Sequence, residues 1–239
     1  MKRFLIPVIL ILLLGACAKN KTYSGVEDKL AAADSLYALG KYSRAAVLYD
    51  EISFERKSGQ TAYALIRLAD SYMKINRFAD ARARLEQVTK SFPQHPELSK
   101  VYFNIALCHF EESLPAQYDQ TSTIKSIDAF RTFAQKFPSD PKFEEALVYV
   151  RKAQYKLIEK KYRNGYIYYK MKDYSSALMY FDEVIGLGNT DDLDRMSLYY
   201  SSLLHLAQGN KEAARGSFDL LSAKYPSSKE TAKLKRKFK

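Results

Sequence analysis

Small and apolar positions recur along this chain at intervals of four and then three residues. The pattern runs Ala45-Tyr49-Ile52, Ala81-Leu85-Val88, Ala177-Phe181-Val184 and Ala214-Phe218-Leu221. That spacing puts three side chains on one stripe of an α-helix. Twelve residues before each first member stands a small residue: Ala33, Ala69, Gly165 and Ser202. Between them lie Gly40-Lys41-Tyr42, Asn76-Arg77-Phe78, Lys172-Asp173-Tyr174 and Gly209-Asn210-Lys211, while Pro93 and Pro226 punctuate the ends. The pattern predicts pairs of helices. The small residue lets the second helix approach the first, the larger side chains fill the groove, and Gly or Asn supplies the positive φ that closes the first helix.

The steps of 36 residues from Ala45 to Ala81 and 37 from Ala177 to Ala214 resemble the tetratricopeptide repeat, whose period is about 34. Between them, Ser126, Phe130 and Phe133 keep the same spacing before Pro138, with a first helix at 100–110 and Ala106 as its small residue. Ala106 to Ser126 is 20 residues instead of 12, so eight extra residues enlarge that turn, most of them in 114–123, with a helix expected to start near Ile124. Pro138 to Gly165 is 27 residues against 13 from Pro93 to Ala106, with no Gly or Pro in the part leading up to Gly165. The excess predicts a first helix of repeat four longer by about four turns, roughly 20 Å. The expected fold is therefore all-α. By the repeat resemblance, it is a right-handed superhelical solenoid of about five tetratricopeptide pairs, with repeats one to three in 26–139 and four to five in 140–228.

The ends change the picture. Met1-Lys2-Arg3 precedes an 11-residue uncharged run, Phe4 to Leu14, and then Leu14-Gly15-Ala16-Cys17. This reads as a secretory signal over 1–16, too short for a bilayer span of roughly 20 residues. Leu-Gly-Ala-Cys resembles the lipobox of bacterial lipoproteins, which makes Cys17 the expected lipidation site, residues 17–25 a linker and the lipid the membrane anchor. The alternative is an ordinary signal with an incidental cysteine. No Asp follows Cys17, so the expected location is the periplasm-facing side of the outer membrane. Removing the signal lowers the formal charge from +11 to +9, and the tail 229–239 holds six basic residues against Glu230. For an exported protein this balance suits anionic lipid or an acidic protein face better than nucleic acid, and a solvated, frayed terminus fits equally. Cys108, in an apolar run, is expected to be a small buried residue.

No catalytic or metal-binding constellation emerges, and no cofactor is expected. His95, His109 and His205 are scattered, without the His-x-x-x-His or His-Glu spacing of a metal site. Asp191-Asp192-Leu193-Asp194 lacks the alternating ligands and Gly of a calcium loop and suits a helix N-terminus. Asp119-Gln120-Thr121-Ser122-Thr123 has no base placed for a nucleophile and also suits a cap. What remains is surface. The inner face of the first helices carries Asp34, Tyr37, Ile66, Asp70, Met73, Phe103, Leu107 and Phe110, then Tyr162, Tyr166 and Tyr169. Such a stripe is usually core, but first helices of a solenoid also line the concave surface that binds extended peptides.

Taken together, the lipobox cysteine, the five repeats, the long fourth-repeat helix and the enlarged turn resemble the BamD family of outer-membrane β-barrel assembly lipoproteins. Its members carry Asp-Gln-Thr in a loop, then Ala-Phe and an aromatic-Pro stop; here these are Asp119-Gln120-Thr121, Ala129-Phe130 and Phe137-Pro138. The resemblance implies a noncatalytic scaffold of the assembly complex. Its N-terminal repeats would bind C-terminal targeting strands of unfolded outer-membrane proteins. Its C-terminal repeats, with Tyr162, Tyr166 and Tyr169 as candidates, would dock a POTRA domain of a BamA-like barrel protein, and other assembly lipoproteins are further implied partners. The chain departs from the family at the end of repeat four, where Ile185-Gly186-Leu187-Gly188 replaces Tyr-Pro. A pilotin-like or other secretion-system repeat lipoprotein, which escorts a secretin, is the alternative.

Overall fold

The computed structural model describes residues 23–54 and 59–238. The expected signal, Cys17 and most of the linker lie outside the described residues. Five helix pairs follow one another: α1 (Val26–Ala38) with α2 (Tyr42–Ser53), α3 (Gly59–Lys74) with α4 (Phe78–Ser91), α5 (Leu98–Glu111) with α6 (Thr121–Lys136), α7 (Phe143–Lys170) with α8 (Tyr174–Ile185), and α9 (Asp192–Ala207) with α10 (Lys211–Lys224). A short α11 (Lys229–Lys235) closes the stack. Each helix packs on its predecessor and successor, which makes the molecule an all-helical solenoid.

The repeating stripes form its core. All five triplets are buried, as are Ala33, Ala69, Ala106, Gly165 and Ser202. Two observations show why the small positions matter. The hydroxyl of Ser202 donates to the carbonyl of Ala214 at 2.9 Å, across a pair of helices. A Cβ on Gly165 would lie 2.9 Å from Phe181 Cε1 and 3.2 Å from Tyr180 Cβ, inside contact distance. At the turns Gly40, Asn76 and Gly209 adopt φ of 70°, 59° and 77°, as helix closure requires. In repeat four Lys172 takes that place at φ 64°.

Helix α7 runs 28 residues, about 42 Å at 1.5 Å per residue, as the count to Gly165 predicts. The enlarged turn differs in detail from expectation. Helix α6 begins at Thr121, three residues before Ile124, because Asp119 accepts the Thr121 amide at 3.0 Å and organises the first turn earlier. At the other end the tail is ordered through Phe238. Ser228 caps α11 by accepting from the Thr231 amide at 3.1 Å, Leu234 is fully buried, and Phe238 stacks on Phe218 at 4.9 Å.

A concave groove, an enlarged turn and a tyrosine cleft

The N-terminal first helices build one groove of about 420 Å³, lined by Tyr37, Asp70, Met73, Asn104 and Leu107 among others. Its wall is held by charge. The Arg67 guanidinium lies 3.8 Å over the Tyr37 ring, with Nε 3.6 Å from Asp34. The hydroxyls of Tyr49 and Tyr63 both donate to Asp34, the latter at 3.0 Å, so Asp34 ties α1, α2 and α3 together. Burial and the Asp34 hydrogen bond push the Tyr49 hydroxyl well above the ordinary range, which keeps it a donor. Asp70 accepts from Lys100 at 2.8 Å and from the Asn104 amide at 3.4 Å. Burial lowers the Lys100 ammonium, but Asp70 and Glu97 outweigh it, so its pKa ends raised.

Of the eight groove candidates, four (Tyr37, Asp70, Met73 and Leu107) therefore share one opening, with Asp34 behind them. Ile66 and Phe103 do not belong there: each is 1% exposed. Phe103 is wedged edge-on between Phe130 and Phe133, at 5.5 and 5.4 Å, so it fills the core of its own helix pair. Phe110 is half-buried against Tyr149, at 4.9 Å. The sequence reading missed Arg67, Lys100 and Asn104; their signal was position, since each stands three residues before a named member of the face, Asp70, Phe103 and Leu107.

The enlarged turn is a folded object. Gln120 is buried, its Nε2 donates to the carbonyls of Pro115 at 2.9 Å and Tyr118 at 3.2 Å, and its Oε1 accepts from Thr123 at 2.7 Å. Asp119 accepts both the amide and, at 3.1 Å, the hydroxyl of Thr121, and those bonds hold its carboxyl below the usual range. The extra length of α7 then grips the turn: Lys156 donates to Ser113 Oγ at 2.6 Å and Lys160 to the Tyr118 carbonyl at 2.7 Å. The two irregularities of the repeat pattern thus meet in space. Leu114 and Tyr118 are left exposed.

Further along, Tyr162, Tyr166 and Tyr169 lie half-buried on α7. Tyr166 and Tyr169 pack on Tyr200 at 5.4 and 4.8 Å, and Tyr162 lies 5.9 Å from Phe181. Burial pushes the Tyr162 hydroxyl up to about 12. Tyr162 and Tyr166 also line a cleft of about 350 Å³ with Gln117, Ile167 and Leu193, between the enlarged turn and repeat five; Tyr169 stays with the core. Where the Tyr-Pro stop of repeat four is missing, a buried polar lock stands instead. Asp194 is 0% exposed and accepts from Lys224 at 3.0 Å and from the Tyr225 hydroxyl at 2.7 Å. Lys224 and Tyr225 also donate to the carbonyls of Asn189 and Asp191, both at 3.0 Å. Asp191 caps α9 through the amides of Leu193 and Asp194, each at 2.9 Å.

A protein-family model described as YfiO, outer membrane lipoprotein, matches residues 16–186, and one for the tetratricopeptide repeat matches residues 162–229. The first spans well over half of the chain. The chain belongs to the YfiO family of outer membrane lipoproteins. The resemblance to BamD is borne out by relatives of that name. The chain is 24% identical over 230 residues to the outer membrane protein assembly factor BamD of Rickettsia prowazekii (strain Madrid E), covering 93% of this chain and 90% of that one. It is 22% identical over 151 residues to the factor of the same name from Caulobacter vibrioides, covering 63% and 50%. Similar solved structures include PilF of Pseudomonas aeruginosa, at 17% identity and TM-score 0.42, covering 90% of this chain and 82% of that one. A tetratricopeptide protein of Thermus thermophilus follows at 15% and 0.38, covering 87% and 95%. As a family member, this protein is associated with the outer membrane. Among the described residues no helix is long and apolar enough to cross a membrane.

Proposed function

We propose that this YfiO-family protein is a noncatalytic scaffold of the outer-membrane β-barrel assembly complex. It is made with the signal 1–16 and held in the outer membrane, facing the periplasm, by lipid on Cys17. Repeats one to three, in 26–139, receive the C-terminal strand of an unfolded barrel protein. Repeats four and five, in 140–228, dock a POTRA domain of a BamA-like barrel subunit beside Tyr162 and Tyr166, with further assembly lipoproteins as additional partners.

The observation that carries the reading is an open, mixed groove on the first helices of a chain whose relatives are named as assembly factors. Its chemistry suits an extended peptide. Tyr37, Met73 and Leu107 offer apolar contact, with Met73 adaptable to different side chains. Asn104 and the Asp70–Lys100 pair offer partners for the backbone of a strand, the part that every substrate has in common.

Direct titration with a peptide copied from the last strand of a barrel protein tests this. Met73→Asp and Leu107→Asp each place a charge in a half-buried wall, and each should weaken binding about tenfold or more while helix content and melting stay near those of the parent. Phe103→Asp is unsuitable, since its buried ring makes unfolding the expected result. Equal affinity in the parent and both aspartate variants removes the groove from the account.

A further inference from the structure

The C-terminal cap carries a charge pattern that neither the groove nor the cleft uses. Lys229, Lys233, Lys235, Arg236 and Lys237 are all exposed. The acid of this segment, Glu230, is engaged by Arg195 at 3.1 Å, and among the described residues no ion pair involves any of those five cations. The Lys233 ammonium lies 6.0 Å from the Tyr199 ring. The segment is also held in place. Thr231 and Leu234, three residues apart, turn inward onto α9 and α10, Ser228 caps the helix, and Phe238 stacks on Phe218 at 4.9 Å. Folding has thus already ordered the backbone that carries these unpaired cations.

We propose that this cap is a docking surface for the headgroups of anionic phospholipids. Charge complementarity carries the choice of occupant. A protein interface is built around a desolvated apolar or aromatic centre, where lysine is depleted. Here lysines dominate, and no large hydrophobic side chain in 222–238 is exposed. A diffuse anionic surface needs no such centre, because each Lys or Arg near it contributes by its charge alone. The family supplies the surface, since its members are outer membrane lipoproteins. Docking at residues 229–237 while the other end of the solenoid is tethered would lay the stack along the membrane, with its groove held at a fixed height.

The chain from Ala18 onward keeps every element described above and carries no cysteine to acylate near its start, so its binding to vesicles reads the protein surface. It should sediment with phosphatidylcholine vesicles containing phosphatidylglycerol and stay in solution with phosphatidylcholine alone. Raising the salt until the screening length falls to a few ångströms should abolish binding. Lys235→Gln, Arg236→Gln and Lys237→Gln together should lower the partition coefficient about a hundredfold, at about fivefold per cation. Lys41→Gln, Lys74→Gln and Lys90→Gln, an equal change of net charge elsewhere, should lower it only a few-fold. Melting curves of both triple variants check that each is folded. The proposal is overturned if the control triple loses as much binding, if the tail triple loses none, or if the parent ignores anionic vesicles. It is equally overturned if the tail triple abolishes capture by an acidic partner protein while vesicle binding is unchanged.

Discussion

Asp194 shows how one side chain replaces a missing punctuation mark. Repeat four ends without an aromatic-Pro stop, and the loop that follows is closed by a carboxylate with no exposure, bonded to Lys224 and Tyr225 of the last repeat. Asp194→Ala leaves the Lys224 ammonium without its acid, and the partial exposure of that lysine moderates the usual cost of a broken buried pair, so a loss of about 2–4 kcal/mol is expected in urea unfolding. Tyr225→Phe removes the hydroxyl that Asp194 and the Asp191 carbonyl share and should cost about 1–2 kcal/mol. Lys172 presents the opposite case. It occupies the left-handed region at φ 64°, where an L side chain costs about 1–2 kcal/mol. After the backbone entropy of glycine is counted, Lys172→Gly should stabilise the protein by about 0.5–1 kcal/mol; a lower unfolding midpoint would contradict that reading of the turn. At this scale the buried triplets were legible because a 4-and-3 spacing can satisfy only one face of a helix. Ile66 and Phe103 were not: the groove wall and the core between helices occupy adjoining stripes, and counting along one helix cannot say which neighbour a large side chain meets.

Among the elements, α7 carries the most information. Its length was legible from simple counting, since nothing before Gly165 could end the helix. Its partner was not. Lys156 and Lys160 reach residues 43 and 42 positions earlier, and no periodicity relates a turn to a lysine pair so far away. The contact makes the enlarged turn and the lengthened helix one joint between the N-terminal and C-terminal repeats. Asp119, Gln120 and Thr121 serve that joint by folding the turn from within, which leaves Leu114 and Tyr118 as its exposed apolar side chains. Replacing both Lys156 and Lys160 by Met keeps the aliphatic stems and removes the two donors. Amide exchange in 112–120 should then speed by about tenfold, which corresponds to about 1.4 kcal/mol of lost local protection, with the α1–α4 region unchanged. Unaltered exchange in 112–120 would mean that Gln120 alone holds the turn.

At the scale of the molecule, the openings formed by the stacked pairs include one on repeats one to three and one where α7 passes the enlarged turn and repeat five. A solenoid is suited to holding two partners at once, because each repeat depends chiefly on its neighbours and a surface can vary in one place without disturbing another. The sequence made the architecture readable through repetition, and the family through one irregular turn. The positions of the two openings required the packing of side chains from separate helices. The proposed role of these openings is to join a barrel-assembly subunit to its substrates. Gentle solubilisation of the outer membrane, capture of this protein and identification of what comes with it tests that claim most directly. A large barrel protein bearing POTRA domains is the result expected; a secretin, with no such barrel protein, would contradict it.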